Sequence, residues 1–296
     1  MPPKTSFSHQ QIASLLKQHG LRGDASVKRL EVGFTNEVYS AGDNIVKIYV
    51  REGSEPKLLT EAQLYRELSP RVLVPKLVAV DTSRQLINKP YMIYRKVPGR
   101  PLGHIWHTLN DVQRHRLINQ ICDQIKLITK HRPNPTWPDS KNWRQVCEDS
   151  LFDNLKAVKS QKILTADKVA EVESFIAGNI NVMDDQKPTF LFWDAHLDNF
   201  IVDSKAELAA VIDLEHTGVF SLDYLLDIVR RMVRYPELNL APDIEKFARK
   251  KDYVHLMDWF KEAWPELFDF PQLERRLDLY ELDGILRHLP RYPRAR

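Results

Sequence analysis

The sequence predicts an α+β fold of two lobes: a small antiparallel sheet with one main helix over residues 1–97, then a larger, mostly helical lobe over 98–296. Three observations carry this. Residues 28–50 show a period of two in three short runs (KRLEV, EVYSAG, NIVKIYV). The turns between them, Gly33-Phe34-Thr35-Asn36 and Gly42-Asp43-Asn44, are too short for a parallel crossover. Beyond the break at Pro98-Gly99-Arg100-Pro101 the apolar spacing becomes mainly helical.

The elements follow in order. Residues 8–19 form an amphipathic helix, with Ser8 as N-cap and Gly20 just past its end. The three strands come next. A helix at 56–69 stops at Pro70, and LVPKLVAVD and PYMIYRKV supply two further strands. In the second lobe the spacing predicts helices at 110–130, 142–159, 165–182, 221–235, 242–263 and 272–288, with one β-hairpin near 190–214. The segment 132–143 (RPNPTWPDSKNW) reads as a surface loop whose Trp137 and Trp143 either pack on the helical lobe or line a substrate.

Composition narrows the function class. Apolar residues make up 43% and charged residues 28%, which is globular composition. No apolar run approaches the roughly 18–20 residues needed to span a bilayer. The start, MPPKTSFSHQ, lacks the apolar stretch of a secretory signal, so a cytoplasmic protein without membrane partners is expected. The 43 basic and 40 acidic residues leave a net charge of +3, too balanced for a nucleic-acid binder. Arg230, Arg231 and Arg234 read as a solvated helix face. Cys122 and Cys147 have no metal-ligand spacing and read as ordinary core thiols.

Chemistry concentrates in FLFWDAHLDNFIVDSKAELAAVIDLEHTG, residues 190–218. An apolar run ends at Asp194, and Asn199 follows just before a strand. A polar turn, a second strand and Asp213 complete the pattern. A hairpin centred on Ala206 would set Asn199 opposite Asp213, close enough for two oxygen-bearing side chains to share Mg²⁺. Asp-x-x-x-x-Asn, then a hairpin and a second Asp, is an arrangement that orients an acceptor hydroxyl and holds metal on phosphates. Capping of turns is the bland alternative for Asp194 and Asn199.

The first lobe offers a second cluster. Lys47 lies in NIVKIYV, where it either reaches nucleotide phosphates or snorkels at a sheet edge. Glu61 shares a helical stripe with Leu58, Tyr65 and Leu68, so it interrupts the face that packs on the sheet. An unpaired carboxylate there is costly, and a Lys47–Glu61 ion pair would satisfy both groups. Glu67 falls off that stripe.

Together these residues resemble the aminoglycoside phosphotransferase family, with its protein-kinase-like fold, from about Lys28 to Arg234. GFTNEVY is similar to the family's nucleotide loop, IVKIY and TEAQLYREL to its lysine strand and glutamate helix, and YMIYRKVPGRPL to its hinge. WDAHLDNFIVD resembles the His-Gly-Asp-x-x-x-x-Asn loop, and VIDLEHTG the Ile-Asp-x-Glu segment. The resemblance implies Asp194 as catalytic aspartate and Asn199 and Asp213 as metal ligands, with Glu215 as a second acid. It implies Lys47, Glu61, Gly33, Thr35, Asn36 and the main chain of Arg95 and Val97 on the nucleotide. Asp223 and Asp227 would brace the loop. The cofactors implied are Mg²⁺ and ATP, with GTP open, and the partner is a small-molecule hydroxyl acceptor.

Two departures accompany the likeness. Phe192-Trp193 replaces the His-Gly pair, with His196 nearby, and Leu222 replaces the glycine before Asp223. Readings from other classes are a metal-dependent hydrolase built on Asp194, His196, Asp213 and His216, and a nucleotide-binding scaffold without catalysis. A protein kinase is disfavoured, because only a few residues separate Asp213 from the next helix. Residues 258–283 carry eight acids against three basic residues, among Trp259, Phe260, Trp264 and Phe268. They read either as solvated helix faces or as a wall for a cationic acceptor.

Overall fold

A computed structural model describes residues 7–23, 26–30, 36–131 and 142–290. These fall into two compact units. The first comprises Met1–Ile128, His196–Thr217 and Leu240–Ala248, and the second Thr129–Ala195, Gly218–Asn239 and Arg249–Arg296.

In the first unit, helix α1 (His9–Gln18) opens on a capping box in which Ser8 and Gln11 satisfy each other's backbone N–H groups. Its apolar stripe, Ile12, Leu15 and Leu16, packs on Val27, Tyr39, Ala41, Val46 and Ile48. Each such aliphatic side chain contributes roughly 1.5–3 kcal/mol when fully buried. Those partners belong to a five-stranded antiparallel sheet of β1 (Val27–Leu30), β2 (Glu37–Ala41), β3 (Asn44–Ile48), β4 (Leu77–Asp81) and β5 (Tyr91–Arg95), in the order β1-β2-β3-β5-β4. Ala41 pairs with Asn44, so Gly42 and Asp43 alone make the turn, and Gly42 takes the left-handed φ of 58° that the turn demands.

Helix α2 (Glu55–Leu68) buries Leu58, Glu61, Ala62, Leu64, Tyr65 and Leu68. The unit continues through β6 (Arg100–Pro101), α3 (Leu102–Ile105) and α4 (Asp111–Thr129). The hairpin β8 (Phe200–Val202) and β9 (Leu208–Val211) extends β6 into a three-stranded sheet.

The second unit holds α5 (Trp143–Ser160), α6 (Ala166–Asn179), β7 (Pro188–Phe192), β10 (Thr217–Ser221), α7 (Leu225–Arg234), α8 (Leu256–Ala263) and α9 (Leu273–His288). Strand β7 pairs with β10, and α9 packs against α5 and α7. Cys122 and Cys147 are both free and buried.

The α+β class agrees with the sequence reading, and several elements differ in detail. The long helix expected at 242–263 shrinks to α8, preceded by short 3₁₀ turns at Glu245–Phe247 and Lys250–Asp252. The chain passes from one unit to the other at Ala248–Arg249, so Ile244 and Tyr253 are buried in different units, which a straight helix does not allow. The helix at 221–235 starts later, after a 3₁₀ turn at Leu222–Tyr224. β7 stands outside the expected hairpin because its partner is β10. Arg230, Arg231 and Arg234 do not form a solvated face. Arg230 pairs with Asp278 at 2.6 Å, Arg231 with Asp227 at 3.0 Å and Arg234 with Glu281 at 2.6 Å. No helix among the described residues is long and apolar enough to cross a membrane.

Candidate functional site

Lys47 is the centre of a buried charged cluster in the first unit. Strand β3 carries it in register with Val38 of β2 and Met92 of β5, so its ammonium can reach only what packs on the sheet. Helix α2 meets it there. Lys47 Nζ donates to Glu61 Oε2 and to Asp213 Oδ1, each at 2.6 Å, and lies 3.5 Å from Glu215 Oε2. Burial alone would lower the Lys47 pKa. Asp213 and then Glu61, helped by Tyr49 and Glu215, outweigh it and hold the ammonium well above its usual value. It stays charged.

Glu61 is saturated. Its Oε2 accepts from Lys47 and from the Tyr49 hydroxyl, and its Oε1 accepts from Tyr65 at 2.7 Å. Burial pushes its carboxyl upward against the pull of Lys47, and Asp213 and Glu215 add to the rise. The Tyr65 hydroxyl also accepts the Asp213 N–H at 3.2 Å. That bond matters because Asp213 adopts left-handed φ 62° and ψ 48°, a conformation costing roughly 1–2 kcal/mol for a residue with a side chain. Aspartate tolerates it better than most, and such strain gathers at functional sites.

Glu215 is buried and oriented by three groups. Asn36 donates to its Oε2 at 2.9 Å, while Lys57 and His216 approach its Oε1 at 3.6 and 3.4 Å. Burial alone would raise its carboxyl. The hydrogen bond from His216 and the charge of Lys47 win and hold it below the usual carboxylate range.

Carboxylate oxygens of Glu61, Asp213 and Glu215 lie within 4.8 Å of one another. With Glu61 committed to Lys47 and two tyrosines, Asp213 and Glu215 are the acids left to meet a hard cation. The Asp213 side chain keeps 34% of its exposure, whereas Glu215 keeps 2%.

Asn199 is buried at the end of a short 3₁₀ turn, Leu197–Asn199. It does not face Asp213 across the hairpin. Its carbonyl accepts the Ile212 N–H at 2.9 Å, and the pairs Phe200↔Val211 and Ile201↔Ala210 carry that register outward. The expected symmetry about Ala206 fails because the hairpin turns about Lys205, with Val202 paired to Leu208, and the one-residue slip between Ile201 and Val202 brings Asn199 only as far as Ile212. Asp213 therefore stands one residue beyond the position opposite Asn199.

Asp194 follows β7 in the second unit, two residues before the chain enters the first unit at His196. The aromatic pair that replaces His-Gly is integrated by packing. Phe192 is fully buried, and the Trp193 ring lies 5.1 Å from that of Tyr224 and 6.3 Å from that of Phe220. Arg95 ends β5, where its N–H is spent on the Lys76 carbonyl at 2.8 Å, and Val97 follows in the connecting segment. Asn36 joins the cluster through Glu215, while Gly33 and Thr35 lie outside the described residues.

Trp143 is a packing residue, buried with its Nε1 donating to Tyr280 at 2.8 Å; Trp137 lies outside the described residues. Asp278, Glu281 and Asp283 of the acidic stretch are tied to arginines of the second unit, whereas Asp258 and Glu262 line an open groove beside His255 and Trp259.

The sequence reading gave no site role to Tyr49, Tyr65 or Lys57, and it named His216 only as part of the hydrolase alternative. Signals existed for the tyrosines: Tyr65 lies four residues after Glu61 on one helix, and Tyr49 two after Lys47 on one strand face.

The family model of the phosphotransferase enzyme family, APH, matches residues 26–224. The chain belongs to the phosphotransferase enzyme family. The match takes in β1 through the turn at Leu222–Tyr224, and with it Lys47, Glu61, Asp194, Asn199 and Asp213.

Solved structures share the protein-kinase-like fold. The GDP complex of wild-type aminoglycoside 2'-phosphotransferase-IIIa superposes with a TM-score of 0.69 at 19% identity, over 97% of this chain and 93% of that one. The streptomycin–ATP ternary complex of APH(2")-IIa gives 0.67 at 16% identity, covering 96% and 91%. A thermostable mutant of aminoglycoside phosphotransferase APH(4)-Ia, with AMP-PNP and hygromycin B, gives 0.66 at 14%, covering 94% and 91%. Likeness at these identities establishes the fold of this family member. No curated protein sequence matches the chain.

Proposed function

We propose that this protein transfers the γ-phosphoryl group of ATP to a hydroxyl of a small molecule, in a Mg²⁺-dependent reaction. The observation that carries the reading is the Lys47 ammonium held at 2.6 Å from both Glu61 and Asp213. A buried lysine kept charged and aimed at a partly exposed aspartate is a device for holding phosphates beside a metal. In this reading residues 1–97 form the nucleotide lobe and residues 98–296 the catalytic and substrate lobe.

Asn199 and Asp213 would hold Mg²⁺, with Glu215 the next nearest acid. The carboxylates clustered around Lys47 suit that ion. Bound there, the cation would neutralise charge on the phosphates. Lys47 would hold the phosphate oxygens, with Glu61, Tyr49 and Tyr65 keeping it in place. The segment Gly33-Phe34-Thr35-Asn36 would cover the phosphates.

At the hinge, the Arg95 N–H is already used, so the Arg95 carbonyl and the Val97 N–H would serve adenine's amino donor and ring acceptor. GTP, which presents the opposite pattern, is the alternative nucleotide. Asp194 would orient the acceptor hydroxyl and take its proton late in the transfer. The acceptor class spans aminoglycosides, sugars and amino alcohols, and the cytoplasm is the proposed location.

A screen of such acceptors with ATP and Mg²⁺, read as ADP release, tests the proposal. At least one acceptor is expected to raise ADP release, and Asp194→Asn to cut that rate by on the order of a hundredfold or more. Unchanged transfer in Asp194→Asn would sink the mechanism.

A further inference from the structure

The turn that carries Asn199 is fastened by its neighbour Asp198. Gly103, His104, His196, Leu240, Ala241 and Asp243, which lie near Asp198, belong to the first unit. The Ala241 N–H lies toward its carboxylate, and His196, His104 and Asp243 are the charged or titratable groups near it. Helix α3 closes over it at Gly103. A Cβ placed there would overlap Asp198 Oδ1 and would stand only 3.1 Å from Leu240 Cδ2. Asp198 Oδ1 is sealed from solvent, yet it finds no hydrogen-bond partner among the described residues, and neither does His104 Nε2. A carboxylate oxygen buried in that state is not placed there by its own bonding. The bare backbone of Gly103 and the Ala241 amide define the seat.

What the seat holds is a stiff unit. The Asn199 N–H donates to the His196 carbonyl at 3.0 Å, and the Asn199 carbonyl accepts the Ile212 N–H, one residue before Asp213. Any movement of Asp198 is passed to Asn199, and through Ile212 to the strand end that sets Asp213.

We infer that Asp198, seated between Gly103 and Ala241, is a positioning residue that sets the metal-binding side chain of Asn199. The inference rests on the phosphotransfer reading of this site. It assigns to Asp198 part of the support that a His-Gly pair before Asp194 would give.

A double-mutant cycle on the full-length protein tests it, with turnover and the Mg²⁺ concentration for half-maximal rate as readouts. Gly103→Ala pushes Asp198 out of its seat, and kcat is expected to fall by about a hundredfold, as for a misplacement near 1 Å. Asp198→Ala should lower kcat about tenfold and raise the Mg²⁺ requirement by a similar factor, while Asp198→Asn, which keeps an acceptor for Ala241, stays within about twofold of wild type. The combined Gly103→Ala and Asp198→Ala protein should be no worse than Asp198→Ala alone, because the overlap has gone. Multiplying losses would overturn the inference. So would an Asp198→Ala protein that melts lower but keeps the wild-type kcat and Mg²⁺ requirement below its melting point. If Gly103→Ala does not fold, the two Asp198 variants still decide. A wild-type protein without turnover on any acceptor defeats the functional reading itself, and this inference with it.

Discussion

Each unit buries a charged network, and the two are finished differently. In the second unit Arg276 and Asp223 are both fully buried. The guanidinium grips the carboxylate with two bonds, at 2.6 and 2.9 Å, and spends further N–H groups on the Val182 and Asp185 carbonyls. Asp223 also accepts from the hydroxyls of Ser221 and Tyr280. Every strong donor and acceptor is used inside the protein. In the first unit three carboxylates face the buried Lys47, and one of them, Asp213, is a third exposed. A closed network can only hold the fold together. An open one, with acid in excess and an edge toward solvent, can hold something else.

Three experiments probe that contrast. Asp213→Ala has the largest expected effect. Mg²⁺-dependent turnover should fall by on the order of a thousandfold. The unfolding free energy should fall by about 1–3 kcal/mol, because Lys47 loses one charged hydrogen bond but keeps Glu61 and Glu215 beside it. Normal Mg²⁺-dependent turnover in that protein would remove Asp213 from the metal site.

Arg276→Leu should behave in the opposite way. It leaves Asp223 buried without its cation, which costs about 3–5 kcal/mol and should show as a lower urea midpoint. A midpoint equal to wild type would mean that the closed network is not what stabilises the second unit.

The smallest effect concerns Asp227, buried on α7 with Oδ1 unpartnered among the described residues. Burial raises its carboxyl above the usual value, and Arg231 pulls against that rise without cancelling it. A carboxyl raised on folding favours the folded state most below its unfolded pKa. Stability is then lost as pH rises from that value to the raised one. Asp227→Asn should flatten this part of the stability-against-pH curve. A wild-type curve that climbs over the same range, or a variant that follows it, would show that Asp227 does not titrate as its surroundings imply.

Much of the fold was legible in the sequence because it is written locally. Ser8, the turn expected at Gly42-Asp43-Asn44 and the stripe Leu58, Glu61, Tyr65, Leu68 act within a few residues of one another, and each appears in its expected place, with the turn tightened to Gly42 and Asp43. The pairing of Lys47 with Glu61 was legible for a related reason. A carboxylate on a packing face needs a cation, and few are in reach. The segment 242–263 was not legible, because its pattern is helical although its side chains serve two different units.

The sequence by itself determined the residue types of the candidate site, the periodicities that carry them, and the family resemblance. Tertiary structure alone decided how those residues are joined. It placed Asn199 opposite Ile212 through a slip in the hairpin ladder. It made Tyr65 the link between Glu61 and the strained Asp213, and it brought Asn36 and Lys57 to Glu215. Period and composition are properties of neighbours along the chain. Register and partner choice depend on contacts between residues up to 179 positions apart, as for Asn36 and Glu215, and no local pattern encodes them.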